Sequence, residues 1–411
     1  MMSRSCSAWW ARIGLIGLVW ILVAGQANRI GAQAVPESAP ALSALWHSLE
    51  AGPYEVGFHV EWLSDDSRTG PGAVTGEGRL LRVYVWYPAT QADGSVMTFG
   101  DYLAPKPPSE RWRALADYLD QRDSSTAARQ FSPQSPPALD QLRRTRVPTR
   151  SRAQPAPGAF PLVLHSLGRN DYQLEATVLW EYLASHGYVV AVVPQLGETG
   201  ESPTLAFTAS DMTLQSADLS FVLQELAARP NVNASSIGVI GHSSGGIAAL
   251  LLASAEPRID AVVGLDASFG TADGRALLDS IGYPNAEQDA WLLDLHAAGT
   301  SNRDAASIEA MTRAERYMIG FGTGSPPRLV THFDFQNWPL YSVLVDTEDD
   351  RGVGARTSSW AADVYVSVIR LTRSFLDHRL RGQHSTWTLN AEDLDVEADL
   401  VRLRQWSATS P

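Results

Sequence analysis

The chain of 411 residues has one cysteine, Cys6, and it lies in a segment expected to be removed. With no partner thiol the mature chain can form no internal disulfide, and a cysteine nucleophile or a thiolate metal site is excluded. No cysteine follows the first apolar run, which argues against a lipid anchor on cysteine. Basic charge is also short: 32 Lys and Arg against 45 Asp and Glu give a formal net charge of −13. That balance argues against a nucleic-acid partner. No HExxH, EF-hand or phosphate-loop pattern occurs, so no metal, nucleotide or other cofactor is implied. Internal repeats are absent, and beyond the N-terminal segment no apolar run is long enough to span a bilayer.

The N-terminal segment itself has a recognisable plan. Arg4 and Arg12 precede the apolar stretch Ile13 to Ala24, and Ala32-Gln33-Ala34 offers a small-x-small cleavage site. Residues 1–34 therefore read as a secretory signal peptide, and a secreted or periplasmic product follows. The apolar stretch is shorter than the ~20 residues of a spanning helix, which disfavours a retained anchor.

Residues 35–411 read as a single α/β domain. Glu55 to Leu63 and Arg79 to Tyr87 form two strands around a polar, glycine-rich turn region. From Phe160 the chain alternates: the strand FPLVLHS, a helix over Tyr172 to His186, the strand YVVAVVP, a helix over Asp211 to Ala228, and an apolar run from Ile237. Strand and helix in repeated alternation predict a mostly parallel central sheet with helices on both faces. Ile259 to Leu265, Ala290 to His296 and a short Arg328 to Thr331 strand continue it, and a helix over Ala361 to Leu380 closes it. Two stretches break the rhythm. Residues 101–158 carry nine prolines around a helical Arg111 to Asp120 and end in the basic run Arg143, Arg144, Arg146, Arg150 and Arg152. They read as an insertion before the third strand: a solvated loop with a flexible connector, or a lid or surface for an anionic partner. A second insertion, Gly270 to Gln288, is a candidate wall of the pocket.

The run from Ile237 ends in Gly241-His242-Ser243-Ser244-Gly245, followed by the helix-forming GIAALLLASA. This is the G-x-S-x-G of a nucleophile elbow, in which a serine sits on a strained strand-to-helix turn. Glycines two before and two after it allow strand and helix to approach. Ser243 is the candidate nucleophile. Its hydroxyl needs a histidine to take the proton and a carboxylate to hold that histidine, in the chain order serine, acid, histidine. Asp266 stands past the end of the strand Ala261 to Leu265, where ligands meet a parallel sheet. Asp294 is its rival, but lies inside an apolar run. Among His296, His332, His378 and His384, His332 is favoured because its loop precedes the last helix and can reach over the sheet edge. The oxyanion donors are the backbone amides of Ser244 and of Leu167, in the loop His165-Ser166-Leu167-Gly168, which His165 helps to shape.

With those residues placed, the chain resembles the platelet-activating-factor acetylhydrolase and dienelactone-hydrolase-like branch of the α/β-hydrolases. The resemblance rests on Gly52-Pro53-Tyr54-Glu55-Val56-Gly57, Trp86-Tyr87-Pro88, His165-Ser166-Leu167-Gly168, Leu183-Ala184-Ser185-His186-Gly187-Tyr188, Gly241 to Gly246 and Gly264-Leu265-Asp266-Ala267. In the family's L-D-A segment the aspartate is the triad acid, which favours Asp266, and His332 is similar to the family's histidine loop. Ser166 stands where the family has glycine, and residues 101–158 have no family counterpart. The resemblance implies a serine hydrolase acting on a small-molecule or lipid ester, with a short acyl chain on a phospholipid as the expected substrate.

Overall fold

The computed structural model describes residues 43–69, 78–90, 94–103, 105–130, 136–197, 204–299, 302–323, 328–345, 358–382 and 386–409. The expected signal peptide and His384 lie outside the described residues. The strands are β1 (Glu55–Asp65), β2 (Arg79–Ala89), β3 (Ser95–Thr98), β4 (Arg146–Ser151), β5 (Phe160–Ser166), β6 (Val189–Val193), β7 (Val232–His242), β8 (Ile259–Leu265), β9 (Trp291–Ala297), β10 (Arg316–Phe321) and β11 (Val401–Trp406). The α-helices are α1 (Arg113–Gln130), α2 (Pro136–Arg144), α3 (Thr177–Ser185), α4 (Ala209–Ala227), α5 (Gly245–Ala255), α6 (Ala272–Ile281), α7 (Ala306–Glu309), α8 (Trp338–Leu344) and α9 (Ser358–Leu380).

All described strands join one sheet in the order β11-β10-β9-β8-β7-β5-β6-β2-β1-β4-β3. From β10 to β6 the pairing is parallel. Outside that block β2 and β11 pair antiparallel. The parallel strands are apolar on both faces, and alternation sends successive side chains to opposite layers. In β5, Leu162 and Leu164 enter one buried cluster, while Val163 enters the other. Helices α3 and α9 supply the layer over Val163; α4 and α5 supply the layer over Leu162 and Leu164. Each fully buried Leu, Ile or Val side chain contributes roughly 1.5–3 kcal/mol, so these two layers hold the strand ends rigidly.

β5 has β6 on one side and β7 on the other. The winding of the chain across the sheet therefore reverses there, and the carboxyl ends of β5 and β7 are where a doubly wound sheet places its ligand. Ser166 and His242 are the last residues of those strands.

Two expectations change. Arg328 to Thr331 is a loop, with the Thr323 amide donating to the Arg328 carbonyl (3.1 Å). The strand beside β9 is β10, whose apolar residues are interrupted by Gly320. Residues 101–158, where described, are folded rather than a flexible solvated loop: they form α1, α2 and β4, and β4 pairs parallel to β1. Arg150 of the basic run is held by Glu55 (3.1 Å). The expected third strand is thus β5, because β3 and β4 come before it.

Candidate active site

Ser243 has φ 53°, a left-handed conformation that costs a side-chain-bearing residue energy and persists only when its surroundings impose it. Here they do. A Cβ on Gly241 would come within 2.5 Å of Gly246 Cα, and one on Gly245 within 2.2 Å of the Ser166 carbonyl oxygen. The two glycines therefore let strand β7, helix α5 and the Ser166–Leu167 loop meet. The Ser243 carbonyl accepts from the Ser268 amide (2.8 Å), which fixes the turn from the next strand's exit. Ser243 is half-buried and Ser244 is buried at the start of α5.

Asp266 directly follows β8 and also has a positive φ, 43°. Its Oδ2 lies 2.6 Å from His332 Nδ1. Its Oδ1 accepts from the Ala297 amide (3.1 Å) and from the Arg303 guanidinium. Burial alone would push this carboxyl up. The His332 hydrogen bond, the Arg303 charge and the Ala297 amide outweigh burial and hold it well below the ordinary carboxylate range. An ionised Asp266 accepts the Nδ1 proton, so the His332 Nε2 lone pair is left for another partner.

His332 opens a short 3-10 helix, His332–Phe335, whose start is fixed by a capping box: Asp334 accepts from the Thr331 amide (2.7 Å) and hydroxyl (3.0 Å). The ring stacks on His242 at 4.7 Å between centroids and 28° between planes. His242 immediately precedes Ser243, so the structure brings His332 and Asp266 to the elbow. The rivals make other contacts. Asp294 is buried within β9, with His296 Nδ1 at 3.1 Å and Arg303 Nη1 at 3.6 Å. His378 stacks on Trp291, at the opposite end of β9 from the strand's exit.

Leu167 is buried, and its carbonyl accepts from the side-chain amides of Gln195 (2.6 Å) and Gln215 (3.3 Å). The Gly168 amide of the same peptide unit donates to Glu175 (3.4 Å). His165 meets Glu175 at 2.9 Å, which is how it shapes this loop.

Sequence reading missed the cluster behind the elbow. Glu175 and Asp171 lie 3.6 Å and 3.7 Å from His242 Nδ1. Burial pushes Glu175 up, but His242 and His165 more than offset it and hold the carboxyl low; burial, reinforced by the Glu175 charge, pushes Asp171 well above its ordinary value. Asp171, Glu175 and His242 place potential metal-ligand atoms within 4.8 Å of one another. Gln336 Nε2 already contacts all three, with Glu175 at 3.3 Å and His242 at 3.2 Å, so an amide supplies the donors that a cation would otherwise replace. Arg303 was missed as well. Only the fold brings it to Asp266, as it brings Gln336 to Glu175.

A family model described as Chlorophyllase matches residues 147–282, which include Ser243 and Asp266 and stop before His332. No curated protein matches the chain. Among solved structures, a ferulic acid esterase from Streptomyces cinnamoneus superposes with a TM-score of 0.58 at 22% identity, covering 87% of this chain and 98% of that one. The chain has the α/β-hydrolase fold. The strained turn after β7 has the strand–turn–helix form that a nucleophile elbow requires, and Asp266 and His332 lie beside it. The finer resemblance, to the platelet-activating-factor acetylhydrolase and dienelactone-hydrolase branch, has no counterpart among these matches.

Proposed function

We propose that this chain is an exported serine carboxylic-ester hydrolase that works through an acyl-enzyme. One observation carries the proposal: a histidine tied to a buried, ionised aspartate is stacked against the residue that precedes a strained serine. Ser243 Oγ attacks the ester carbonyl while His332 Nε2 takes its proton, and Asp266 stabilises the imidazolium. The amides of Leu167 and Ser244 receive the oxyanion. His332 then gives the proton to the departing alkoxide; water, deprotonated by His332, cleaves the acyl-serine and restores Ser243. No metal or cofactor takes part in these steps.

The matched ferulic acid esterase supports an ester as substrate. The sequence resemblance supports a short acyl group, on a phospholipid or a smaller ester, and the N-terminal segment supports export. Hydrolysis of a p-nitrophenyl ester series from acetyl to long acyl, by the mature protein and by Ser243→Ala, tests the reading. Activity that falls with chain length and is lost in the variant is expected. Equal rates in the two proteins would sink the Ser243 mechanism. No turnover of any ester would overturn the esterase reading and favour a peptidase or a non-catalytic binding protein on this fold.

A further inference from the structure

Helix α1 belongs to the insertion that family resemblance leaves unmatched, yet its buried polar side chains meet the loops after β5 and β6. Arg122, with 9% of its side chain exposed, donates from Nη1 to the Gln195 carbonyl (2.7 Å). Its Nε and Nη2 are buried without hydrogen-bond partners. Asp123 at 3.6 Å and the Tyr118 ring at 5.9 Å balance the charge without hydrogen-bonding those two nitrogens, so the one carbonyl Arg122 holds warrants a reason. Gln195 carries the contact onward: its side-chain amide donates to the Leu167 carbonyl (2.6 Å), and its oxygen accepts from the Asn170 amide (2.8 Å). The neighbouring residue, Asp123, accepts from the Gln173 amide (3.3 Å). On this same side α1 is fixed to the sheet, because buried Arg82 of β2 binds both Asp120 and Asp123 (3.1 Å to the latter) and also Gln173 (3.1 Å).

Three backbone groups of the loop, at Leu167, Asn170 and Gln173, thus trace back to two adjacent residues of one inserted helix. The Leu167–Gly168 peptide unit is held at its carbonyl by Gln195 and at its amide by Glu175. That holds the plane of the peptide directly following the Leu167 amide and limits how far that amide can turn. Oxyanion donors work only when pre-aimed, since reorganisation during the reaction cancels their benefit.

We propose that α1 is a brace for the oxyanion loop, with Arg122 and Asp123 as positioning residues that act through Gln195 and Gln173. The catalytic half of this proposal rests on the ester-hydrolase reading; the mechanical half does not. Arg122→Met, Arg122→Lys and Asp123→Asn are compared with the wild-type protein by amide hydrogen exchange over residues 167–173 and by inhibition with a trifluoromethyl ketone. That inhibitor forms a tetrahedral adduct whose oxyanion needs the loop. In Arg122→Met, exchange in the loop is expected to rise about tenfold and inhibitor affinity and kcat to fall about tenfold, with KM little changed. Arg122→Lys, which keeps a donor for the Gln195 carbonyl, should recover most of each loss. Asp123→Asn should loosen the Gln173 end of the loop and carries the test if Arg122→Met does not fold. Unchanged loop exchange in a folded Arg122→Met or Asp123→Asn protein would overturn the brace. Faster exchange with unaltered inhibitor affinity would overturn its catalytic role. A wild-type protein inert toward esters and toward the ketone would fail the hydrolase reading instead, and exchange alone would then decide the brace.

Discussion

His332 meets Asp266 on one side of the elbow with 38% of its side chain exposed; on the other side His165 and His242 meet Glu175 with 0% and 2%. The two arrangements use the same kinds of group, a carboxylate held low and imidazoles beside it. They differ in access. A sealed imidazole–carboxylate pair whose partners are all protein groups can hold a loop in place, whereas a pair with one ring open to solvent can exchange a proton with a substrate. Gln336 completes the sealed set by joining Asp171, Glu175 and His242, and the stack of His332 on His242 is the contact through which the rigid side supports the open one.

The sharpest way to break this contrast is to neutralise each carboxylate in turn. Asp266→Asn should reduce kcat by about 10⁴-fold in ester hydrolysis, because His332 is then held in the wrong tautomer, while urea denaturation shows a much smaller change. Glu175→Ala should do the reverse. It leaves His165, the Gly168 amide and the Gln336 amide without their buried acceptor, so unfolding free energy should fall by about 3–5 kcal/mol, read by urea titration, while kcat per folded molecule falls only about tenfold, as the loop after β5 loses one of its two holds.

A third carboxylate shows what sealing does when no cation is nearby. Glu181 accepts from Trp46 (2.8 Å) and Tyr102 (2.7 Å), and burial pushes it up to about 7. Its folded value lies above the ordinary 4.5, so the stability associated with its protonated form is present below pH 4.5 and is lost as pH rises toward 7. Over that window wild-type protein should lose about 3 kcal/mol relative to Glu181→Gln, measured as the pH dependence of the difference in unfolding free energy. A constant difference across the window would contradict it. The smallest expected effect belongs to the open side. Arg303→Met removes a cation from Asp266 Oδ1 and should lower kcat/KM by about tenfold, since the triad acid loses part of what keeps it ionised and oriented.

How much of this was legible in the sequence follows from the range of the contacts. β5, β6, β8 and the part of β7 from Ile237 are short, mainly apolar runs, and the glycines around Ser243 are local, so the parallel sheet and its turn could be read directly. β4 was hidden because a strand near the sheet edge, RVPTRS, has the composition of a basic loop. β10 was passed over for Arg328 to Thr331, because Gly320 interrupts the real strand and a β-branched run imitates one. Asp266 could be ranked above Asp294 from its place past the end of a strand. The partners of Glu175 could not be read: His242 and Gln336 are remote from it in the chain, and only closure of the sheet brings them together. The contacts of residues 101–158 were illegible for the same reason, since Arg122 is linked to Leu167 only through Gln195 of another strand's exit.

Activation of Ser243 by the His332–Asp266 pair should show in the reactivity of its hydroxyl. Labelling the mature protein with a fluorophosphonate and locating the adduct by peptide mass spectrometry tests it most directly. A single adduct on Ser243, formed rapidly in the wild-type protein and far more slowly in His332→Ala, is the predicted result. No adduct, an adduct at another residue, or equal labelling rates in the two proteins would contradict the account.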